Sequence, residues 1–183
     1  MPSLMGRGTG CIGRTGSLCL ALGLLISEAR AETTASFQLS ATVVEGCEIN
    51  AALPANGQDI GQIGTIDFGS HSALSTETIT AALVRNAGIS LSCTPSVSLS
   101  MTLDGGLHAD AARNLQHVGG PERIAYRLYG DASFTQELTA NQPTPISFSN
   151  PEAIALPIYG QLTLPGDKPP GVYSDTVMLT LTW

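Results

Sequence analysis

The sequence predicts an all-β fold, an antiparallel β-sandwich of immunoglobulin-like type, on three observations. Apolar and polar residues alternate with period 2 in run after run. Turn residues fall between the runs, at Pro54–Gly57, Gly105-Gly106, Gly119-Gly120-Pro121 and Pro169-Pro170-Gly171. No stretch carries a convincing helical period; Ala109–Leu115 reads at most as one short turn of helix. Seven or so short strands in roughly 150 residues fit a two-sheet sandwich.

The runs justify themselves in order. Ala35, Phe37, Leu39, Ala41 and Val43 alternate with Ser36, Gln38, Ser40 and Thr42. Ile89, Leu91 and Cys93 follow, then Val97, Leu99, Met101 and Leu103, stopped by Asp104-Gly105-Gly106, which reads as a hairpin turn. Ile124, Tyr126 and Leu128 share one face of the next strand, with Arg123, Ala125, Arg127 and Tyr129 on the other; solvent is the expected environment of the two arginines. Ile158, Leu162 and Leu164 precede Pro165-Gly166, and Val177, Leu179, Leu181 and Trp183 alternate with Thr176, Thr180 and Thr182.

Residues 1–31 read as a secretory signal. Arg7 and Arg14 supply its basic part, Leu18–Ile26 an apolar stretch of nine residues, and Ala29-Arg30-Ala31 a small-x-small cleavage site. Nine residues fall short of the roughly 18–20 that span a bilayer. Neither Cys11 nor Cys19 follows the pattern that precedes a lipidated cysteine. Cleavage removes Arg7, Arg14 and Arg30 from 8 basic residues and Glu28 from 15 acidic ones, leaving 5 − 14 = −9. That charge excludes a phosphate-binding surface and hence a nucleic-acid partner. With 13% charged and 43% hydrophobic residues the chain is no disordered polymer either.

Cleavage also leaves two cysteines, Cys47 and Cys93, and two thiols in an exported chain are expected to form one structural disulfide. Chemistry-bearing patterns are scarce. His71, His108 and His117 have no metal-ligand spacing, and no G-x-S-x-G elbow appears, so neither metal, cofactor nor enzyme activity is expected. Tyr173, after Pro170-Gly171, reads as a tyrosine whose hydroxyl caps a loop. Asp175 either bonds a turn or helps a partner dock, and the pattern leaves both open.

Two end effects bear on function. The last strand, Val177–Trp183, has no following strand to pair with, which leaves an edge open. The alternating run at 35–44 is either the sandwich's own first strand or a strand lent to another copy, and pattern alone does not separate them.

These residues resemble the spore coat protein U (Csu-type) domain family of archaic chaperone–usher pilins. The resemblance rests on Phe37-Gln38-Leu39-Ser40-Ala41-Thr42-Val43 leading to Cys47, on Ile66-Asp67-Phe68-Gly69, and on Leu91-Ser92-Cys93-Thr94. It continues through Leu103-Asp104-Gly105-Gly106, Ile124-Ala125-Tyr126-Arg127-Leu128-Tyr129 and Pro157-Ile158-Tyr159-Gly160 to Gly171-Val172-Tyr173-Ser174-Asp175-Thr176-Val177. It implies an incomplete sandwich, missing its last strand, that a donor strand completes. A periplasmic chaperone would lend that strand, and an outer-membrane usher would exchange it for the N-terminal strand of the next subunit. Carried over, 32–46 becomes the donor extension, with Phe37, Leu39, Ala41 and Val43 inserting. Residues 47–183 become the pilin domain, with Val177, Leu179, Leu181 and Trp183 flanking the acceptor groove and meeting the chaperone. Cys47 and Cys93 match the family's disulfide. The implied role is an exported pilus subunit for adhesion and biofilm, partnered by neighbouring pilins. The alternative is a tip adhesin or binding module, which calls for an extra receptor-binding domain or apolar loop tips.

Overall fold

The computed structural model describes residues 32–183; the predicted signal at 1–31 lies outside the described residues. Thr42–Trp183 forms one compact unit, and the described residues 32–41 fall outside it. Among the described residues, 32–46 contribute no strand, and Phe37, Leu39 and Val43 are 82%, 83% and 93% exposed.

The domain is built from β1 (Cys47–Ile49), β2 (Gly64–Thr65), β3 (Thr78–Ala82), β4 (Val84–Arg85), β5 (Leu91–Cys93) and β6 (Ser100–Leu103). It continues with β7 (Arg113–His117), β8 (Arg123–Tyr129), β9 (Thr144–Pro145), β10 (Tyr159–Thr163), β11 (Tyr173–Ser174) and β12 (Leu179–Thr182). One layer is a five-stranded sheet in the order β11-β7-β8-β10-β3. The other holds a three-stranded sheet, β12-β6-β9, and a pair, β1-β5, while β2 and β4 form a small ribbon. All the pairings are antiparallel. One core joins Tyr126, Leu128 and Leu162 of the first layer to Met101, Leu103, Cys47, Leu91 and Cys93 of the second.

Period 2 places the side chains where it predicts. On β8, Ile124, Tyr126 and Leu128 are buried while Arg123, Ala125 and Arg127 are exposed. Tyr129 departs from that rule. It shares the arginines' parity, yet it is buried, because Phe134 packs edge-on at 5.4 Å between ring centroids and in turn meets Tyr159 at 6.3 Å. Phe134 has a left-handed backbone, φ 54°. The Asp131 carboxylate holds that loop by accepting from the amides of Ser133, Thr135 and Gln136.

Two expectations need correction. Ala109–Leu115 forms no helix: Arg113–His117 is strand β7, paired with β8 around the Gly119-Gly120-Pro121 turn. Polar residues dominate that strand, which is why its pattern gave no strand signal. Asp104-Gly105-Gly106 is a turn but joins no hairpin, because β6 pairs with β12 and β9 while β7 belongs to the other sheet. The turn carries the chain between layers, with the Asp104 carboxylate accepting from the Gly106 amide at 2.9 Å.

The last stretch also changes layers. Tyr173 and Ser174 pair with β7 in the five-stranded sheet, and Leu179–Thr182 pair with β6 in the three-stranded one. Between them, Leu107 N donates to Thr176 O at 3.1 Å and Asp104 N to Met178 O at 3.0 Å, so the crossing segment stays hydrogen-bonded.

Candidate functional site

The site grows from an inequality between two neighbouring strands. β6 is flanked by β12 and β9, and its core-facing Met101 and Leu103 are 2% and 4% exposed. β12 is an edge, bonded to β6 on one side and to no strand of the described residues on the other. Its core-facing Leu179 and Leu181 are only half-buried. The edge therefore combines a partly uncovered core face with a strand side that pairs with no other strand of the described residues.

Beside that edge lies a narrow apolar groove. Leu179 and Leu181 form one wall; Ile49 of β1, Leu91 of β5, Ile89 and Leu156 contribute others. Arg85, at the end of β4, is the one charged residue lining it among the described residues. Its Nη1 donates to the carbonyl of Ile154 at 3.4 Å. The groove therefore opens where the β12-β6-β9 sheet and the β1-β5 pair, two parts of one layer, are not bonded to each other.

The predicted acceptor residues divide accordingly. Leu179 and Leu181 meet in the groove. Val177 packs against the core cluster, as they do, but does not line the groove, and Trp183, 44% exposed, also lies outside the lining. Trp183 Nε1 lies beside Gly46, 3.7 Å from where a Cβ would stand, so the end of β12 and the start of β1 are neighbours. Phe37, Leu39, Ala41 and Val43, the predicted donors, are all exposed. Sequence reasoning missed Arg85, Ile60, Ile63 and Leu156, which lie in loops or on a two-residue strand with no periodicity to mark them.

The two cysteines pair as expected. Cys47 and Cys93 are direct partners in the β1–β5 register, bridged with Cα atoms 4.0 Å apart. The disulfide thus fastens β1, beside the groove, to β5.

Behind β12 a polar network fixes the crossing segment. The Asp175 carboxylate, on a side chain 2% exposed, accepts from Tyr126 Oη at 2.7 Å, from the His108 amide at 3.1 Å and from His108 Nδ1 at 3.0 Å. Of the two roles left open for Asp175, bonding a turn is the one it performs. Burial first, and the bond to Asp175 second, push the Tyr126 phenol well above its ordinary range. Next to this network Arg113 is buried, a residue the sequence did not single out. It donates to the carbonyls of Asp104 at 2.9 Å and Leu138 at 2.6 Å. Burial pulls the guanidinium below its ordinary value, against the pull of Tyr126, Asp104, Glu137 and Asp175. Tyr173 caps its loop by donating to Pro169 O at 2.8 Å.

The histidines stay apart. His71 bonds the Phe68 carbonyl, His108 sits on Asp175, and His117 approaches the Pro170 carbonyl. Among the described residues no cluster of three or more metal-capable side chains forms.

Fold and groove together define a disulfide-fastened, all-β sandwich domain with one open apolar edge. The sequence model of the Spore Coat Protein U domain matches residues 33–180, and the chain belongs to that family. No curated protein matches it. Among solved structures, it is similar to a chain of the CsuC–CsuE chaperone–tip adhesion subunit pre-assembly complex of the archaic chaperone–usher Csu pili of Acinetobacter baumannii. That match has 17% identity over 78% of this chain and 41% of that one, with a TM-score of 0.47. A second similarity is to a chaperone–tip adhesin complex of CFA/I fimbriae biogenesis, at 14% identity over 75% of this chain and 41% of that one, TM-score 0.37. In both cases this chain spans about two fifths of the matched chain's length.

Proposed function

We propose that this chain is an exported pilus subunit that polymerises head to tail by donor-strand exchange, building surface fibres for adhesion and biofilm. The observation that carries the reading is the edge strand β12, whose half-buried Leu179 and Leu181 open into an apolar groove. Residues 33–44 supply the complementary part: an exposed, period-2 segment outside every sheet of the described residues. Family membership supports the same role. Each Phe, Leu or Val side chain that enters the groove stabilises the link by roughly 1.5–3 kcal/mol. Each ladder hydrogen bond along β12 adds about 0.5–1.5 kcal/mol. Ordering the segment and joining two molecules cost on the order of 10 kcal/mol. Because donor and acceptor are different surfaces of one chain, the contact is heterologous and propagates as a filament rather than closing as a dimer.

In this reading the signal at 1–31 directs export, a periplasmic chaperone covers the groove before assembly, and an outer-membrane usher mediates the exchange. A denaturing gel of the protein recovered from a bacterial periplasm tests the proposal. The expected result is a ladder of multimers that collapses on boiling and disappears when 33–44 are deleted. A monomer insensitive to the deletion would overturn it.

A second reading, a tip subunit contacting its target through loops, draws on one observation. Val118 and Val172, joined by a 2.9 Å backbone bond at the β7–β8 turn, are 72% and 69% exposed.

A further inference from the structure

Arg85 is out of keeping with its surroundings. It is one of only 5 basic residues in the chain beyond residue 31 and it lines an otherwise apolar groove. Among the described residues it forms no ion pair; its polar contact is the 3.4 Å bond to the Ile154 carbonyl. Arg85 is exposed, and with one long bond to the protein its guanidinium keeps donors available for a carboxylate partner.

The alternating segment carries the complement. Its apolar face is 37, 39, 41 and 43, and period 2 continues that face to Glu45. Glu32, the segment's other charge, has the opposite parity. Any insertion that turns Phe37, Leu39 and Val43 into the groove therefore brings Glu45 to the same side. Glu45 is exposed and unpaired among the described residues.

We infer that Arg85 of one copy receives Glu45 of the next, and that this ion pair sets the register in which the strand enters. This rests on the strand-exchange reading above. An apolar groove by itself specifies register weakly, because a slip of two residues keeps every apolar side chain on the inner face. With Arg85 present, a slip one way sets Val43 against the cation, and a slip the other way drives the Glu45 carboxylate among the apolar side chains of the groove, where an unpaired charge is strongly disfavoured. One pair thus selects the strand, its register, and a second copy of this chain over a strand with no acid at that position.

The test uses the full chain, leader included, exported to a periplasm and analysed unboiled on a denaturing gel. Arg85→Glu and Glu45→Arg are each expected to reduce the multimer ladder at least ~10-fold, through like-charge juxtaposition. The double variant, which restores opposite charges, is expected to return to within ~3-fold of wild type. Undiminished ladders in the single variants, or a double variant no better than either, overturn the pairing. If wild type forms a ladder that deletion of 33–44 abolishes while the charge reversals change nothing, the pairing fails and strand exchange stands. If wild type forms no ladder at all, both fail together.

Discussion

The Tyr126 hydroxyl donates to the Asp175 carboxylate at 2.7 Å, tying the middle of the five-stranded sheet to the segment that carries the chain across to β12. Tyr126→Phe removes that donor and leaves Asp175 with the amide and ring of His108. A loss of about 1.5–3 kcal/mol is expected, because the acceptor is charged. Asp175→Ala strands both partners and is expected to cost more. Urea unfolding of the two variants checks the order.

The same phenol sets an alkaline limit. Its folded pKa is raised, so the proton is held more tightly in the folded than in the unfolded chain. The associated stability is complete below pH ~10, the unfolded value, and declines as pH rises beyond it. Tyr126→Phe is expected to flatten that decline. Unfolding measured from pH 8 to 11, with absorbance at 295 nm following the tyrosines, reads both effects.

Gly106 stands against Asp175 at φ +84°, and a Cβ there would collide with the carboxylate. Gly106→Ala therefore combines left-handed strain with displacement of the network, for an expected loss of about 3 kcal/mol. Gly57→Ala, also at positive φ but with open space around it, is the control and is expected to cost only about 1 kcal/mol. Thermal unfolding of the pair separates collision from strain.

Cys47→Ser with Cys93→Ser frees a closed loop spanning 46 positions. The expected loss is about 4 kcal/mol in the chain-entropy account. Because β1 is a three-residue strand paired with β5 alone, its amides are expected to lose hydrogen-exchange protection before those of β8.

Phe37→Asp and Leu39→Asp are expected to block multimer formation while leaving the melting temperature of the monomer unchanged, since both residues are exposed. Burying the introduced carboxylate costs several kcal/mol. Wild-type ladders from both variants would remove the donor assignment.

Strands with one apolar face were legible: β8, β6, β10 and β12 lie within or beside the alternating runs that announced them. The disulfide was legible from two surviving cysteines. β3, Thr-Ile-Thr-Ala-Ala, and β7, Arg-Asn-Leu-Gln-His, were not, because each carries a single large apolar residue. Burial of Arg113 was invisible too, since its partners are the backbone carbonyls of Asp104 and Leu138, which no side-chain pattern encodes. Of the groove lining, Leu179 and Leu181 were legible as the inner face of β12. Ile60, Ile63 and Leu156 are brought there only by the fold.

The stretch from Tyr173 to Thr182 belongs to both layers, and this has a mechanical consequence. A strand bonded along β12 and pulled lengthwise loads its ladder in shear, so many bonds share the tension at once instead of opening one by one. That tension does not stop at the three-stranded sheet. It runs back along one covalent chain, past the Asp175 anchor, into β7 and the five-stranded sheet, so stretching a link strains the whole domain rather than peeling off its edge.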